Sequence, residues 1–369
     1  MDDITAGFIG FGLIGGSIAR ALKELQPNCR LIAYNYYEGK NNPNLDAAYE
    51  DQTLDAIYTT LNEGFSQCDI IFLCAPVITN ITYLSQLGTI IKPTCIITDV
   101  GSVKGNIHEA VKELGLERNF VGGHPMAGSE KTGYHNSSSK LLENAYYILT
   151  PTEHTPSHMT DTLYKLVKNI GAIPVVLQSN EHDDITAAIS HVPHIIAAAL
   201  VNMVGNSDND KEKMRSLAAG GFKDITRIAS SSPVMWQNIC LTNTQSIQTC
   251  LETYRDSIND IIKALDQMDE TYLLQIFENA KEFRDSIPTK AVGMIEKIFE
   301  VYLDIIDEAG AIATIATILA SNAISIKNIG IIHNREFQDG VLRIELYNQE
   351  ATNKTVDLLK HYRYTIYER

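Results

Sequence analysis

Positive charge is what this sequence most clearly lacks. Its 369 residues carry 30 Lys+Arg against 45 Asp+Glu, a formal net charge of −15 at pH 7. The acidic surplus runs through every region, so no segment offers the basic face that nucleic acid or an anionic membrane surface requires. An anionic small molecule would have to be gripped by a few local cations against an unfavourable field, which makes each well-placed Arg a candidate. Cysteine is also sparse: the six residues Cys29, Cys68, Cys74, Cys95, Cys240 and Cys250 form no CxxC pair and sit partly inside apolar runs such as CDIIFLC. That pattern argues against a disulfide framework or a zinc ribbon and reads as core thiols in a reducing compartment. The opening MDDITAGFIG is acidic where a secretory signal is basic, and the most apolar stretch, HIIAAALVNMV, is far short of a membrane span. The expectation is a cytoplasmic protein with neither a nucleic-acid nor a membrane partner. Repeats and low-complexity tracts are missing too.

What is present is an ordinary globular composition, 44% hydrophobic and 20% charged, on a chain long enough for two or three domains. Residues 1–178 alternate short apolar runs (AGFIGFG, CRLIAYN, CDIIFLCAP, TCIITDVG, NFVGGHP, AYYILT, GAIPVVL) with helical periodicity. Runs without polar alternation suit strands buried on both faces, so the expectation is a doubly wound parallel α/β sheet of the Rossmann type. Residues 179–293 lose the strand signal and repeat apolar residues at helical spacing. They predict an all-helical region whose helices are mutually buried and pack on a second subunit. Residues 294–369 predict strand, helix, strand, strand, helix, strand, the ferredoxin-like order, with a turn at FQDG.

Five stretches carry chemistry. Gly10-Phe11-Gly12-Leu13-Ile14-Gly15 leaves a predicted strand and opens a predicted helix. Gly10 allows the tight turn, Gly12 lets a pyrophosphate approach the backbone and Gly15 lets helix and strand pack closely, so a dinucleotide is expected here. The acidic residue that would bind the ribose of NAD about 20 residues on is replaced by Asn35. An amide can bond a ribose hydroxyl and does not repel a 2′-phosphate, so NAD is favoured while NADP stays open. In DVGSVKG, Ser102 is either the N-cap of the next helix, bonding the N–H of Lys104 or Gly105, or a residue of a site on the sheet's C-terminal rim. In GGHPMAGSEKTG, His124 lies beyond another strand on that rim. An alcohol dehydrogenase needs a base near neutral pKa to take the hydroxyl proton, and imidazole suits it. In SHVPH the pair His191 and His194 has no further ligand to complete a metal site, so no metal is expected. In FKDITRIASSSPVMW, Arg227 can grip a carboxylate bidentately.

In their order and separations these stretches resemble the TyrA prephenate/arogenate dehydrogenases, and the C-terminal βαββαβ resembles an ACT domain. The resemblance implies a dinucleotide-binding domain at 1–178, a helical dimerisation domain at 179–293 and an ACT regulatory domain at 294–369. It implies NAD(P)-dependent oxidative decarboxylation of prephenate to 4-hydroxyphenylpyruvate for tyrosine synthesis, in a homodimer with L-tyrosine as effector. Arogenate, with an amino group in place of the side-chain keto group, is the alternative substrate; a β-hydroxy-acid dehydrogenase is the more distant alternative. Carried over by motif, His124 accepts the proton of the ring 4-hydroxyl, Ser102 orients it, and Ser129, Glu130, His194 and Arg227 line the substrate site. Gly10, Gly12, Leu13, Ile14, Gly15 and Asn35 contact the cofactor. The departures are Asn35 and DEAG at Asp307–Gly310, where ACT domains carry Pro-Gly.

Overall fold

The unbroken apolar runs become strands with both faces covered. In the computed structural model, which describes residues 4–36, 42–61, 63–128, 131–208, 212–287, 299–305, 310–332 and 340–367, these strands are β1 (Thr5–Ile9), β2 (Arg30–Tyr34), β3 (Ala56–Tyr58), β4 (Ile70–Leu73) and β5 (Ile96–Asp99). They form an all-parallel sheet in the order β3-β2-β1-β4-β5. Ala6, Phe8 and Phe72 point to one buried face, Ile9, Ile71 and Leu73 to the other. The connecting helices are α1 (Leu13–Leu25), α2 (Pro43–Glu50), α3 (Glu63–Ser66) and α4 (Val77–Leu87), and α5 (Gly105–Glu113) follows β5. Strand order reverses at β1, which places a ligand crevice beyond the C-terminal ends of β1 and β4.

The single doubly wound sheet expected from the sequence is corrected in two respects. β3 was not legible, because three half-buried residues make no run. The last three strands, β6 (Val121–Pro125), β7 (Tyr146–Pro151) and β8 (Ile173–Val176), form a separate small sheet in which β6 and β7 are antiparallel and only β7 and β8 are parallel. A parallel return requires a crossover. The helix α6 (Ser157–Asn169) supplies one between β7 and β8, whereas the described residues between β6 and β7 hold a short 3₁₀ turn at Tyr134–Asn136 and no α-helix. One parallel bridge, Ile97 to Phe120, ties the start of β6 to β5.

The helical region comprises α7 (Ser179–Thr186), a π-helical turn at Ala187–His191, α8 (Val192–Ser207), α9 (Lys213–Leu217), α10 (Gly220–Thr226), α11 (Pro233–Thr242), α12 (Thr244–Asp266) and α13 (Glu270–Ser286). The expectation of mutual burial fails within one chain. The apolar cluster is small, centred on Ala187, Val192 and Ile247, while Leu217 is 79%, Phe277 73% and Phe283 72% exposed. The run Ser179–Ser207 is also longer than the stretch the sequence suggested, 29 helical residues that by length and composition could cross a membrane. It nevertheless carries His182, Asp183 and His191, all buried and hydrogen-bonded.

The chain divides into two compact units, Met1–Ala291 and Val292–Arg369. The second contains β9 (Phe299–Ile305), α14 (Ala311–Ser321), β10 (Ile326–Ile332), β11 (Gly340–Leu346), α15 (Gln349–His361) and β12 (Ile366–Tyr367), the element order expected. Its sheet is antiparallel in the order β10-β11-β9-β12. Val301, Leu303, Leu342 and Ile344 alternate onto the face that packs Ile315, Leu319 and Leu359. The FQDG turn falls largely outside the described residues, as do Asp307 to Ala309.

Candidate active site

The glycine turn is built as its spacing predicts. Gly10 has φ +85, and a Cβ there would lie 2.6 Å from the Ala75 backbone nitrogen, so any side chain would be both strained and obstructed. A Cβ on Gly12 meets nothing within 4 Å, which leaves open space in front of α1. That helix begins with no side-chain cap and no acidic residue in its first turn. Its N–H groups and positive end therefore face the opening, the requirement for a pyrophosphate. Asn35 follows β2, whose Tyr34 carbonyl accepts the Gly10 N–H at 2.9 Å, and the open turn at Gly12 has room for a dinucleotide's pyrophosphate.

The loop between β5 and α5 is organised by a buried ion pair. Lys104 and Asp99 are both fully buried and bonded to each other; Lys104 Nζ also donates to the Gly123 carbonyl at 2.7 Å, and Asp99 accepts the N–H groups of Gly101 and Gly123 at 2.9 and 3.1 Å. Burial draws the Lys104 ammonium below its ordinary pKa against the pull of Asp99. A Cβ on Gly123 would come within 2.5 Å of the Asp99 carbonyl oxygen, so glycine before His124 is what lets β6 lie against this pair. The ion pair thus fixes the strand that presents the imidazole. Ser102 sits partly exposed in the same loop. Its reading as helix cap is overturned: the N–H groups of Lys104 and Gly105 donate to Asp183, at 2.8 and 2.7 Å, from 79 and 78 residues away. A carboxylate offers a separate oxygen to each orphan donor.

His124 is the next-to-last residue of β6 and is half-buried. Its Nδ1 is 2.7 Å from His182 Nε2, and His182 Nδ1 is 2.8 Å from Asp183 Oδ1. Burial, then the neighbouring His182, Lys104 and His191, hold the His124 pKa well below the usual imidazole value. His191 is buried, paired with the Asn243 amide at 3.1 Å, and pushed down to about 4 by burial. Pro193, the second residue of α8, cannot donate and crowds the preceding carbonyls, and the π turn at Ala187–His191 ends two residues before it.

His194 lies on α8, its ring stacked on Trp236 at 3.8 Å, with its pKa lowered by burial and by the neighbouring Arg227. Arg227 opens the short 3₁₀ turn after α10 and is exposed on this chain. Beside them is a cleft of about 640 Å³ lined by His194, Ile228, Ser231, Trp236 and Gln237 among others. The buried Trp236 Nε1 finds no acceptor among the described residues. The structure thus bonds His124 to His182, and brings His191 and His194 separately against Trp236. Ser129 and Glu130 lie outside the described residues. Sequence reasoning missed His182, Asp183 and the Asp99–Lys104 pair. No spacing signal marks them, since 58 residues separate His182 from His124.

Residues 18–176 match the family model described as prephenate dehydrogenase, nucleotide-binding domain, and residues 178–279 the model described as prephenate dehydrogenase, dimerization domain. A prephenate dehydrogenase of Bacillus subtilis is 38% identical over 343 residues, covering 92% of this chain and 91% of the relative. The crystal structure of prephenate dehydrogenase from A. aeolicus in complex with hydroxyphenyl propionate and NAD+ superposes with a TM-score of 0.72 at 30% identity, over 78% of this chain and 99% of that one. The arogenate dehydrogenase of Synechocystis superposes at 0.69 with 30% identity, over 77% and 100%.

Proposed function

The chain belongs to the prephenate dehydrogenase family, and we propose from that premise that His124, Ser102 and Arg227 carry its NAD-dependent oxidative decarboxylation of prephenate to 4-hydroxyphenylpyruvate. The observation that carries this assignment is the placement of His124: a half-buried imidazole whose pKa its surroundings hold well below the usual value, next to last in β6 and locked to the loop of Ser102 through the Lys104–Asp99 pair.

Bound NAD supplies the hydride acceptor; the Gly10–Gly15 turn, with Leu13 and Ile14, receives its pyrophosphate on the N-terminus of α1, and Asn35 its ribose. His124 takes the 4-hydroxyl proton, for which a ring already neutral is ready. Ser102, half-buried in the loop after β5, orients that hydroxyl. Arg227 grips a carboxylate bidentately, the local cation that a −15 chain requires, and His194, its ring neutral, borders the neighbouring cleft. Ser129 and Glu130 complete the substrate contacts by the family resemblance. Oxidation at the ring carbon leaves a dienone conjugated to the carbon bearing the ring carboxylate, so loss of CO2 yields an aromatic phenol. Aromatisation drives that step, and the protein mainly positions and deprotonates.

The organisation we infer is a dinucleotide-binding domain at 1–178, a helical dimerisation domain at 179–293 and an ACT domain at 294–369. Exposed Leu217, Met268, Phe277 and Phe283 support a homodimer formed through the helices. The antiparallel βαββαβ unit and the turn before α14 support L-tyrosine as effector. The test crosses prephenate and arogenate with NAD and NADP on the purified chain. Turnover of prephenate with NAD, releasing CO2 and 4-hydroxyphenylpyruvate, is the expected result; turnover of arogenate alone would overturn the substrate assignment.

A further inference from the structure

We infer that His182 and Asp183 are positioning residues that fix the tautomer of His124, so that its proton sits on Nδ1 and its free lone pair on Nε2 faces the substrate hydroxyl. This deepens the proposed role of His124 and rests on it.

The argument runs outward from α5. Its first N–H groups, from Lys104 and Gly105, donate to the two oxygens of Asp183 at 2.8 and 2.7 Å. Asp183 is 6% exposed, and the Asn243 amide donates to its backbone carbonyl at 2.8 Å. A carboxylate so held is an acceptor only. His182, fully buried, lies 2.8 Å from it through Nδ1, so that nitrogen carries the proton and donates. In the neutral ring the other nitrogen, Nε2, then accepts. It faces His124 Nδ1 at 2.7 Å, which must therefore be the donor. One nitrogen of His124 is thereby committed to the protein and the other is left unprotonated. The logic matches that of carboxylate–histidine pairs in other enzymes, with one imidazole inserted. As His124 takes the substrate proton, its bond to His182 becomes charge-assisted, and Asp183 balances the charge through the intervening ring. The order of parts also explains why the helix cap comes from a distant carboxylate: Asp183 caps α5 with both oxygens and accepts from His182 on one of them, Oδ1.

The experiment separates tautomer control from simple packing with two amides. In His182→Gln the terminal amide reaches the place of Nε2 and can accept from His124, but loses Asp183. In His182→Asn the amide keeps the place of Nδ1 and its bond to Asp183, but stops short of His124. We expect kcat of the Gln variant to stay at least tenfold above that of the Asn variant, and the Asn variant to fall about ten- to a hundredfold below wild type, with the KM for prephenate and the affinity for NAD within about twofold of wild type in both. Equal activity of the two, or an Asn variant better than Gln, would overturn the inference, because a structural role is served by the bond to Asp183. A second measurement needs no variant to fold at position 182. Nitrogen-15 histidine spectra of the wild-type enzyme, with the His124 signals identified from a His124→Asn sample, should show His124 protonated on Nδ1 and bare on Nε2. The opposite tautomer, or an exchanging mixture, refutes the proposal even if His124→Asn is inactive, while a fully active His124→Asn enzyme removes the underlying role of His124 instead.

Discussion

At the scale of single residues, the reaction asks for one base and one carboxylate anchor. His124→Asn should lower kcat by about 10²- to 10⁴-fold, the usual reach of a general base, with NAD affinity near wild type. Because burial and the neighbouring His182, Lys104 and His191 depress the His124 pKa well below 6.5, the base stays neutral through pH 7 and 6.5. Activity is lost only as pH falls further, through the depressed value. A pH profile of kcat/KM whose acid limb lies at or above 6.5 would contradict that environment. Arg227→Ala should raise the KM for prephenate far more than it lowers kcat, since a carboxylate contact present in ground and transition states is uniform binding. The loss should be about 1.5–3 kcal/mol, the worth of a charge-assisted hydrogen bond. An unchanged KM would place Arg227 outside the substrate pocket.

At the scale of elements, the site is held by the junction of β5, α5 and β6. Lys104 neutralises Asp99 where both side chains are fully buried, and both also satisfy backbone groups of the strand that presents His124. Lys104→Met leaves Asp99 buried and unpaired. Urea unfolding should report a loss of about 3–5 kcal/mol, and pairing the change with Asp99→Asn should recover part of it, since the cost lies in the orphaned charge. Full stability in the single variant would mean that Asp99 is not held as a carboxylate. Much of this junction was legible in advance. The spacing of Gly10, Gly12 and Gly15 placed a turn and helix that the structure contains, and the runs around β1, β2, β4 and β5 named those strands. The antiparallel β6–β7 pair was not legible, because an apolar run states that a strand is buried without stating which way its neighbour runs. Ser102 was given the helix cap for a local reason, its hydroxyl being nearest in sequence, and a carboxylate from α7 took that place.

At the scale of the whole molecule, regulation is proposed to belong to the C-terminal unit. Gly310, with φ +97, opens α14, which has no side-chain cap, so N–H groups are available to an amino-acid carboxylate there. L-tyrosine titrated into the full-length enzyme should inhibit turnover. Gly310→Val, which puts a branched side chain in a left-handed conformation, should weaken that inhibition at least tenfold, about 1.4 kcal/mol of coupling, and leave the uninhibited kcat unchanged. Inhibition undiminished in the variant would locate tyrosine at the active site as a product mimic, and no response in either protein would leave the unit structural. The sequence by itself determined the parallel core, the dinucleotide turn and the order of elements in the C-terminal unit, and it singled out His124 as a candidate, because each is written in residues close along the chain and read by backbone sterics or periodicity. Only the tertiary structure decided that His124 is backed by His182 and Asp183, that α5 is capped from a distance, and that the long helices are left largely uncovered in a single chain. Those relations join residues tens of positions apart, and which side chain reaches which nitrogen is settled by packing that no local pattern encodes.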